Sequence, residues 1–373
     1  KIDDLNNPDR LNALVSDTEA LRSVLGLIET AQPIEVMEGG IRGIGLGGRQ
    51  LIQLRVELIK LSRENGTNVE DVMAKQMIVF HINSEAEETM KKDLLEHDFY
   101  GFNPENIVII VQPVLPGYDI NAEGKPVKRG DSESFPYGHG YATEQLISTG
   151  DAYTLDRAGG KTVLQGSALD YVIGKGAQLM GTHRINDLTR YVNNKDIPEG
   201  SNISALDLDK LALSLYLIEQ QGSNVVVELV SNPDDQKGGL FLKDGDTGKQ
   251  FLLETINAQT AELQARLKNT LVGIPYNAFR LVYNLKQLSS LLSRQLPNTI
   301  RIRGKTNSIY PEIVTGDITQ FADANSMGIQ NVGELIHDFK TPGNLQEGIE
   351  YIRHQDLDQD FREIARQLGF TVP

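Results

Sequence analysis

Apolar positions along this chain fall into two rhythms, one suited to helices and one to buried strands. Residues 9–30 place Leu11, Leu14, Val15, Leu21, Val24, Leu25 and Ile28 at helical spacing, with Gly26 as a weak point and Pro33 as the stop. A short β-like run, Ile34-Glu-Val-Met37, leads into a glycine-rich stretch, and a helix is predicted from Arg49 to about Glu64. Leu51, Leu54, Leu58 and Leu61 form its apolar stripe, and Asn65-Gly66 ends it. Residues 77–82 and 107–111 are nearly continuous apolar runs and predict buried strands, with a helix over 85–96 between them. Residues 207–221 and 278–292 read as helices, 224–230 as a strand, and 239–253 as a hairpin around Asp244-Gly245. Strands with unbroken apolar runs, alternating with helices, predict an α/β fold with a mostly parallel twisted sheet covered by helices on both faces.

Three regions follow from that pattern. Residues 1–33 read as a helical N-terminal segment, and 34–325 as the α/β domain, with 151–186 inserted over the sheet edge. Residues 326–373 read as a helical C-terminal segment anchored by Leu335, Ile336, Ile349, Ile352, Phe361, Ile364 and Leu368. The 373 residues suffice for a sizeable core. A net charge of −15 argues against a nucleic-acid partner, whose affinity would rest on clustered Lys and Arg. With no cysteine, a thiol nucleophile, a disulfide and a thiolate-held metal are excluded. No apolar run approaches the roughly 20 residues of a membrane span. The expectation is a cytoplasmic protein; because residue 1 is lysine, a removed upstream segment and secretion stay open.

Chemistry is suggested first by the glycines. Gly43-Ile-Gly45-Leu-Gly-Gly48 satisfies Gly-x-Gly-x-x-Gly between a strand and a helix, where backbone N–H groups can meet phosphate oxygens. A dinucleotide site also needs an acidic residue about 20 positions on, at the end of the next strand. Here that strand ends near Asn83, too far along. A tight turn with no ligand is the plainer alternative. Neither a Gly-x-Ser-x-Gly elbow nor a His-Glu-x-x-His helix is present.

The longer order of motifs carries more. His97-Asp-Phe-Tyr-Gly101, the run 107–111, Gln112-Pro-Val-Leu-Pro116 and Phe135-Pro-Tyr-Gly138-His139-Gly140 follow one another. Tyr191-Val-Asn-Asn-Lys-Asp196 and Tyr276-Asn277-Ala-Phe-Arg280 come later. This order resembles the UTP–sugar-1-phosphate uridylyltransferases, the UDP-glucose and UDP-N-acetylhexosamine pyrophosphorylases, over roughly residues 34–320. The resemblance implies a Rossmann-like nucleotide-diphospho-sugar transferase core that transfers UMP from UTP to a sugar 1-phosphate with Mg²⁺.

By that resemblance Gly39, Gly40, Gln112, Gly138, His139 and Gly140 hold the nucleotide, and Glu254, Asn277 and Arg280 hold the sugar. Arg42, Arg49 and Lys305 supply cationic catalytic groups. Asp196 is the Mg²⁺ ligand, with Asp187 as the fallback. Bland alternatives stay open: Gln112 as a strand-end amide, His139 as a structural histidine, and 301–305 as a solvated strand edge. The chain departs from the family pattern in lacking the Pro-Lys pair after the first glycines; Arg49 is the nearest cation to that position. A lysine there would stabilise the transferring phosphoryl group. A glycosyltransferase using a UDP-sugar and a non-catalytic nucleotide-sugar binder are the two other functions the same pocket would serve. The expected partners are UTP or a UDP-sugar and a sugar phosphate.

Overall fold

The structure, a computed structural model, describes residues 40–123, 125–130, 134–136, 138–185, 187–189, 208–230, 239–254, 276–293, 298–303, 308–329, 336–338 and 345–373. The helix expected over 9–30, together with Gly39, Asp196 and Lys305, lies outside these residues.

The first apolar runs become β1 (Ile78–Asn83) and β2 (Ile107–Gln112), paired in parallel with Asn83 beside Gln112. Parallel strands need a crossover, and α3 (Glu87–Glu96) supplies it. Strands β7 (Ala152–Leu155) and β8 (Lys161–Val163) extend this sheet antiparallel, in the order β1-β2-β7-β8. β2 is buried on both faces, which explains its unbroken apolar run. Ile107 and Ile109 face a cluster with α1 (Leu46–Glu64) and Phe361, whereas Val108 and Ile110 face the second sheet.

That second sheet runs β13-β12-β14-β11-β17, with β9 (Leu179–Gly181) paired to β14. Its strands are β11 (Val225–Val230), β12 (Gly239–Lys243), β13 (Gln250–Glu254), β14 (Tyr276–Asn284) and β17 (Ala324–Ile329). The expectation of a mostly parallel sheet is corrected here. Among the described residues only β1–β2 and β11–β17 pair in parallel. The β7–β8 and β12–β13 hairpins and the long β14 all join antiparallel. The hairpins' short turns leave no room for the dozen residues or more that a parallel crossover needs. The protein is thus a mixed α/β fold of several small sheets.

The helix expected over 278–292 is also corrected, because only α7 (Leu285–Leu292) is helical. Residues 276–284 form β14 between β11 and β12, where Leu281 and Tyr283 are buried against the main core. Asn284 caps α7 by accepting from the Lys286 N–H. The 239–253 hairpin turns where expected, with Asp244 Oδ1 accepting from the Asp246 and Thr247 N–H groups.

Smaller ribbons complete the fold: β3 (Val114–Pro116) with β6 (Ser134–Pro136), and β10 (Asp187–Thr189) with β18 (Ile336–Asp338). A four-stranded sheet joins β4 (Tyr118–Ile120), β5 (Pro126–Lys128), β15 (Asn298–Arg303) and β16 (Ser308–Ile313). The remaining helices are α2 (Val69–Lys75), α4 (His139–Glu144), α5 (Ala168–Gly174), α6 (Leu208–Gln221), α8 (Leu345–Leu357) and α9 (Gln359–Gln367). Phe361, Ile364 and Ala365 dock α9 into the cluster beside α1. Among the described residues no helix is long and apolar enough to cross a membrane.

Candidate functional site

Ligands in open α/β sheets settle at the carboxyl ends of parallel strands, where the chain leaves the sheet and backbone groups are available. The β1–β2 pair ends on Asn83 and Gln112. The Gln112 Nε2 donates to the Gly138 carbonyl at 2.8 Å, so the strand-end amide holds the second glycine turn in place. Gly138 has φ 90 and ψ 163, a region essentially closed to residues with a Cβ. It caps α4, whose first residue is His139, and Gly140 is buried behind it.

The His139 ring has a fixed proton position. Its Nδ1 accepts from the Thr315 N–H at 3.1 Å, with the Thr315 hydroxyl 3.0 Å away. A nitrogen that accepts from an amide carries no proton, so the proton of the neutral ring sits on Nε2. Thr143 stands next to this pair, its hydroxyl 3.3 Å from that of Thr315. Beneath them the Tyr283 phenol is fully buried, and desolvation raises its pKa. Gln112, Gly138, His139 and Gly140 are therefore brought together, with Thr315 and Thr143 as members that sequence reading missed. Nothing in Val-Thr-Gly-Asp around Thr315 marks it, because the partner is 176 positions away.

The first glycine turn is held by other partners. Gly40 and Ile41 are buried, Arg42 is exposed, and the Arg42 N–H donates to the Thr371 carbonyl. Arg49 is fully buried inside α1. Its Nη1 pairs with Asp356 Oδ1 at 2.7 Å, and Asp356 is 2% exposed. Arg49 is thus committed to the framework and is not carried forward as a phosphate-facing cation. Segment 184–185 lies across the head of α1, where Gln50 Nε2 donates to the Arg184 and Ile185 carbonyls. That contact brings β10, and with it Asp187, to the same end of the helix. The β10–β18 register sets Asp187 opposite Asp338.

The sugar candidates also converge in the backbone. Gly239 of β12 is in register with Glu254 of β13 on one side and Asn277 of β14 on the other. Arg280 is 4% exposed in β14, and the adjoining β11 buries Glu228. Among the described residues no group of three or more His, Asp or Glu gathers as a ready metal cage.

Neither a protein-family model nor a curated protein sequence matches the chain. Solved structures do. The UDP-N-acetylglucosamine pyrophosphorylase of Trypanosoma brucei superposes with a TM-score of 0.56 at 14% identity, covering 91% of this chain and 69% of that one. A V402W mutant of the Leishmania major UDP-glucose pyrophosphorylase gives 0.54 at 15% identity, covering 87% and 63%. The S374W mutant of that enzyme, in complex with UDP-glucose, gives 0.52 at 14%, covering 81% and 59%. At such identities the likeness speaks for architecture alone: this chain has the fold of the UDP-sugar pyrophosphorylases.

Proposed function

We propose that the chain is a Mg²⁺-dependent uridylyltransferase that moves UMP from UTP to a sugar 1-phosphate and releases pyrophosphate. The observation that carries the reading is the Gln112–Gly138 clamp at the carboxyl end of the β1–β2 pair, in a fold shared with the UDP-sugar pyrophosphorylases. In the reaction an oxygen of the sugar phosphate bonds to the α-phosphorus of UTP as the bond to the bridging oxygen breaks. Pyrophosphate leaves with the bonding pair. Such a displacement needs positioning and charge stabilisation rather than a side-chain nucleophile.

Each residue has a part in that positioning. Glycine amides at 39–40 and 138–140 line the nucleotide, Gln112 holds the second turn, and His139 Nε2–H donates to a phosphate oxygen. By the resemblance in sequence, Arg42 and Lys305 are assigned to phosphate charge, and Glu254, Asn277 and Arg280 to the sugar. Mg²⁺ suits carboxylate oxygens supplemented by substrate phosphates. Asp187, which the register sets across from Asp338, offers such donors beside α1, and Asp196 is the other candidate. Bound there, the ion would offset phosphate charge.

Burial of Arg49 favours one alternative, a protein that binds a UDP-sugar without turning it over. With that cation paired to Asp356, the Pro-Lys position has no replacement at residue 49. A glycosyltransferase would use the same pocket. Calorimetry with UTP, UDP-glucose and UDP-N-acetylglucosamine, with and without Mg²⁺, paired with a pyrophosphate-release assay, separates these readings. Heat with pyrophosphate release is the expected result. Heat without turnover selects the binder, sugar transfer selects the glycosyltransferase, and the absence of heat with every uridine nucleotide overturns all three.

A further inference from the structure

A buried Arg–Asp pair needs an explanation, since replacing such a pair by apolar residues of similar volume is often neutral or stabilising. Arg49 also sits in the first turn of α1, which has no acidic residue, where a cation opposes the helix dipole. What this pair does beyond its own attraction is grip the backbone of one residue. Asp356 Oδ2 accepts from the Ile41 N–H at 3.1 Å, and Arg49 Nη2 donates to the Ile41 carbonyl at 3.3 Å. Ile41 is 1% exposed, so both of its peptide groups need internal partners. The ion pair provides them.

Ile41 follows Gly40 directly, and its neighbour Arg42 is tied through its backbone to Thr371. Gln355 adds a 3.4 Å contact to Arg49 Nη1 from the same turn of α8. The first glycine turn is therefore fixed from behind by the end of α8 and the chain terminus, some 300 positions away in sequence.

We propose that Asp356 and Arg49 are positioning residues. They set the backbone of the 40–45 turn for nucleotide binding and touch no ligand themselves. The part concerning nucleotide rests on the uridine-nucleotide reading above; the part concerning the turn does not.

The test uses the full chain with the paired replacement Arg49→Met/Asp356→Leu and, separately, Asp356→Asn. Three quantities are read: the urea midpoint, hydrogen exchange of the 40–45 amides without ligand, and UTP affinity. In the wild type the Ile41 amide is expected to be protected. In the paired variant the urea midpoint falls, because the Ile41 N–H and C=O lose their buried partners while the apolar replacements keep the surrounding packing. Ile41 exchange there rises about tenfold or more, and UTP affinity falls about tenfold, the effect of losing one or two such hydrogen bonds. Asp356→Asn keeps an acceptor for Ile41 and should fall between the two.

A folded paired variant with wild-type exchange at Ile41 and wild-type UTP affinity overturns the proposal. So does an Ile41 amide in the wild type that exchanges as fast as exposed loops, a result that stands even if the paired variant does not fold. Wild-type protein that binds no uridine nucleotide defeats the functional reading instead, while the ligand-free exchange still decides the positioning role.

Discussion

Gly48→Ala sets two well-characterised effects against each other, and the structure decides the sign. Gly48 lies in the first turn of α1, where alanine in place of glycine ordinarily stabilises a helix by up to about 1 kcal/mol. A Cβ at this position would come within 2.4 Å of the Tyr100 hydroxyl and 2.9 Å of the ring carbon bearing it. Ordinary contact requires the phenol to retreat by about 1 Å. It has nowhere to go. Tyr100 is fully buried, and its hydroxyl donates to Asp93 Oδ2 at 2.8 Å. Its backbone is part of an unusual turn in which Asp98, Phe99 and Tyr100 all have positive φ.

Overpacking of this kind costs about 1–3 kcal/mol, and losing a hydrogen bond to a carboxylate costs about 1.5–3 more. After subtracting the helix gain, Gly48→Ala should destabilise the protein by about 1.5–5 kcal/mol. Urea unfolding of the single variant, of Tyr100→Phe and of the double variant measures it. Removing the hydroxyl relieves the closest contact, so the two costs should fall short of additivity by about 1 kcal/mol or more. A Gly48→Ala protein as stable as wild type, or more so, would show that Tyr100 does not pack against this helix face.

Three further outcomes follow from the geometry. Gly138→Ala forces a Cβ into a conformation essentially reserved for glycine; it should cost about 1–3 kcal/mol in urea unfolding and weaken UTP binding in calorimetry. Nitrogen-15 NMR of His139 should show the Nε2–H tautomer in the neutral ring, and Nδ1–H would contradict the Thr315 contact. For Asp93, desolvation raises the folded-state pKa above 3.8 despite the Tyr100 hydrogen bond, which works the other way. The folded state therefore holds this proton more tightly than the unfolded chain. Its stabilising contribution is complete below pH 3.8 and is lost as pH rises through the folded-state value. Asp93→Asn should flatten that loss in urea titrations taken across this range, and an unchanged slope would count against the assignment.

Much of the fold was legible wherever local pattern and tertiary environment agree. The runs that became β1 and β2 are apolar because β2 is buried on both faces, and the Asp244 hairpin follows from turn chemistry within four residues. Residues 278–284 fit a helix as well, through Phe279, Leu281, Val282 and Leu285, and only β11 and β12 on either side make them part of a strand. Nothing in Asp98-Phe-Tyr100 signals positive φ, a conformation that costs roughly 1–2 kcal/mol per residue and persists only when packing demands it. Arg49 looked like a phosphate cation because residue 356, which neutralises it, is 307 positions away. The cluster around Gln112 was legible as an ordered set of motifs. Thr315, which fixes its histidine, was not.

The glycine-rich stretch shows why composition alone misleads. Its Gly-x-Gly-x-x-Gly match invites a single explanation, yet its members answer to different constraints. Gly43 has φ 90, a backbone requirement. Gly47 and Gly48 have no such requirement; a Cβ on the first would strike the Ile185 side chain and on the second the Tyr100 phenol. Those two contacts are inter-element packing, and they let segment 184–185 and the 98–101 turn approach the head of α1. α1 begins at Leu46 rather than Arg49, and the glycines of its first turn, which weaken a helix locally, allow it to be approached closely. The same approach brings the strand bearing Asp187 to the head of α1, the helix that follows the glycine turn secured by Asp356. A catalytic or binding role for that turn thus depends on residues that carry no signature of nucleotide chemistry, and substitutions at 41, 49, 185 and 356 are where it is most exposed to test.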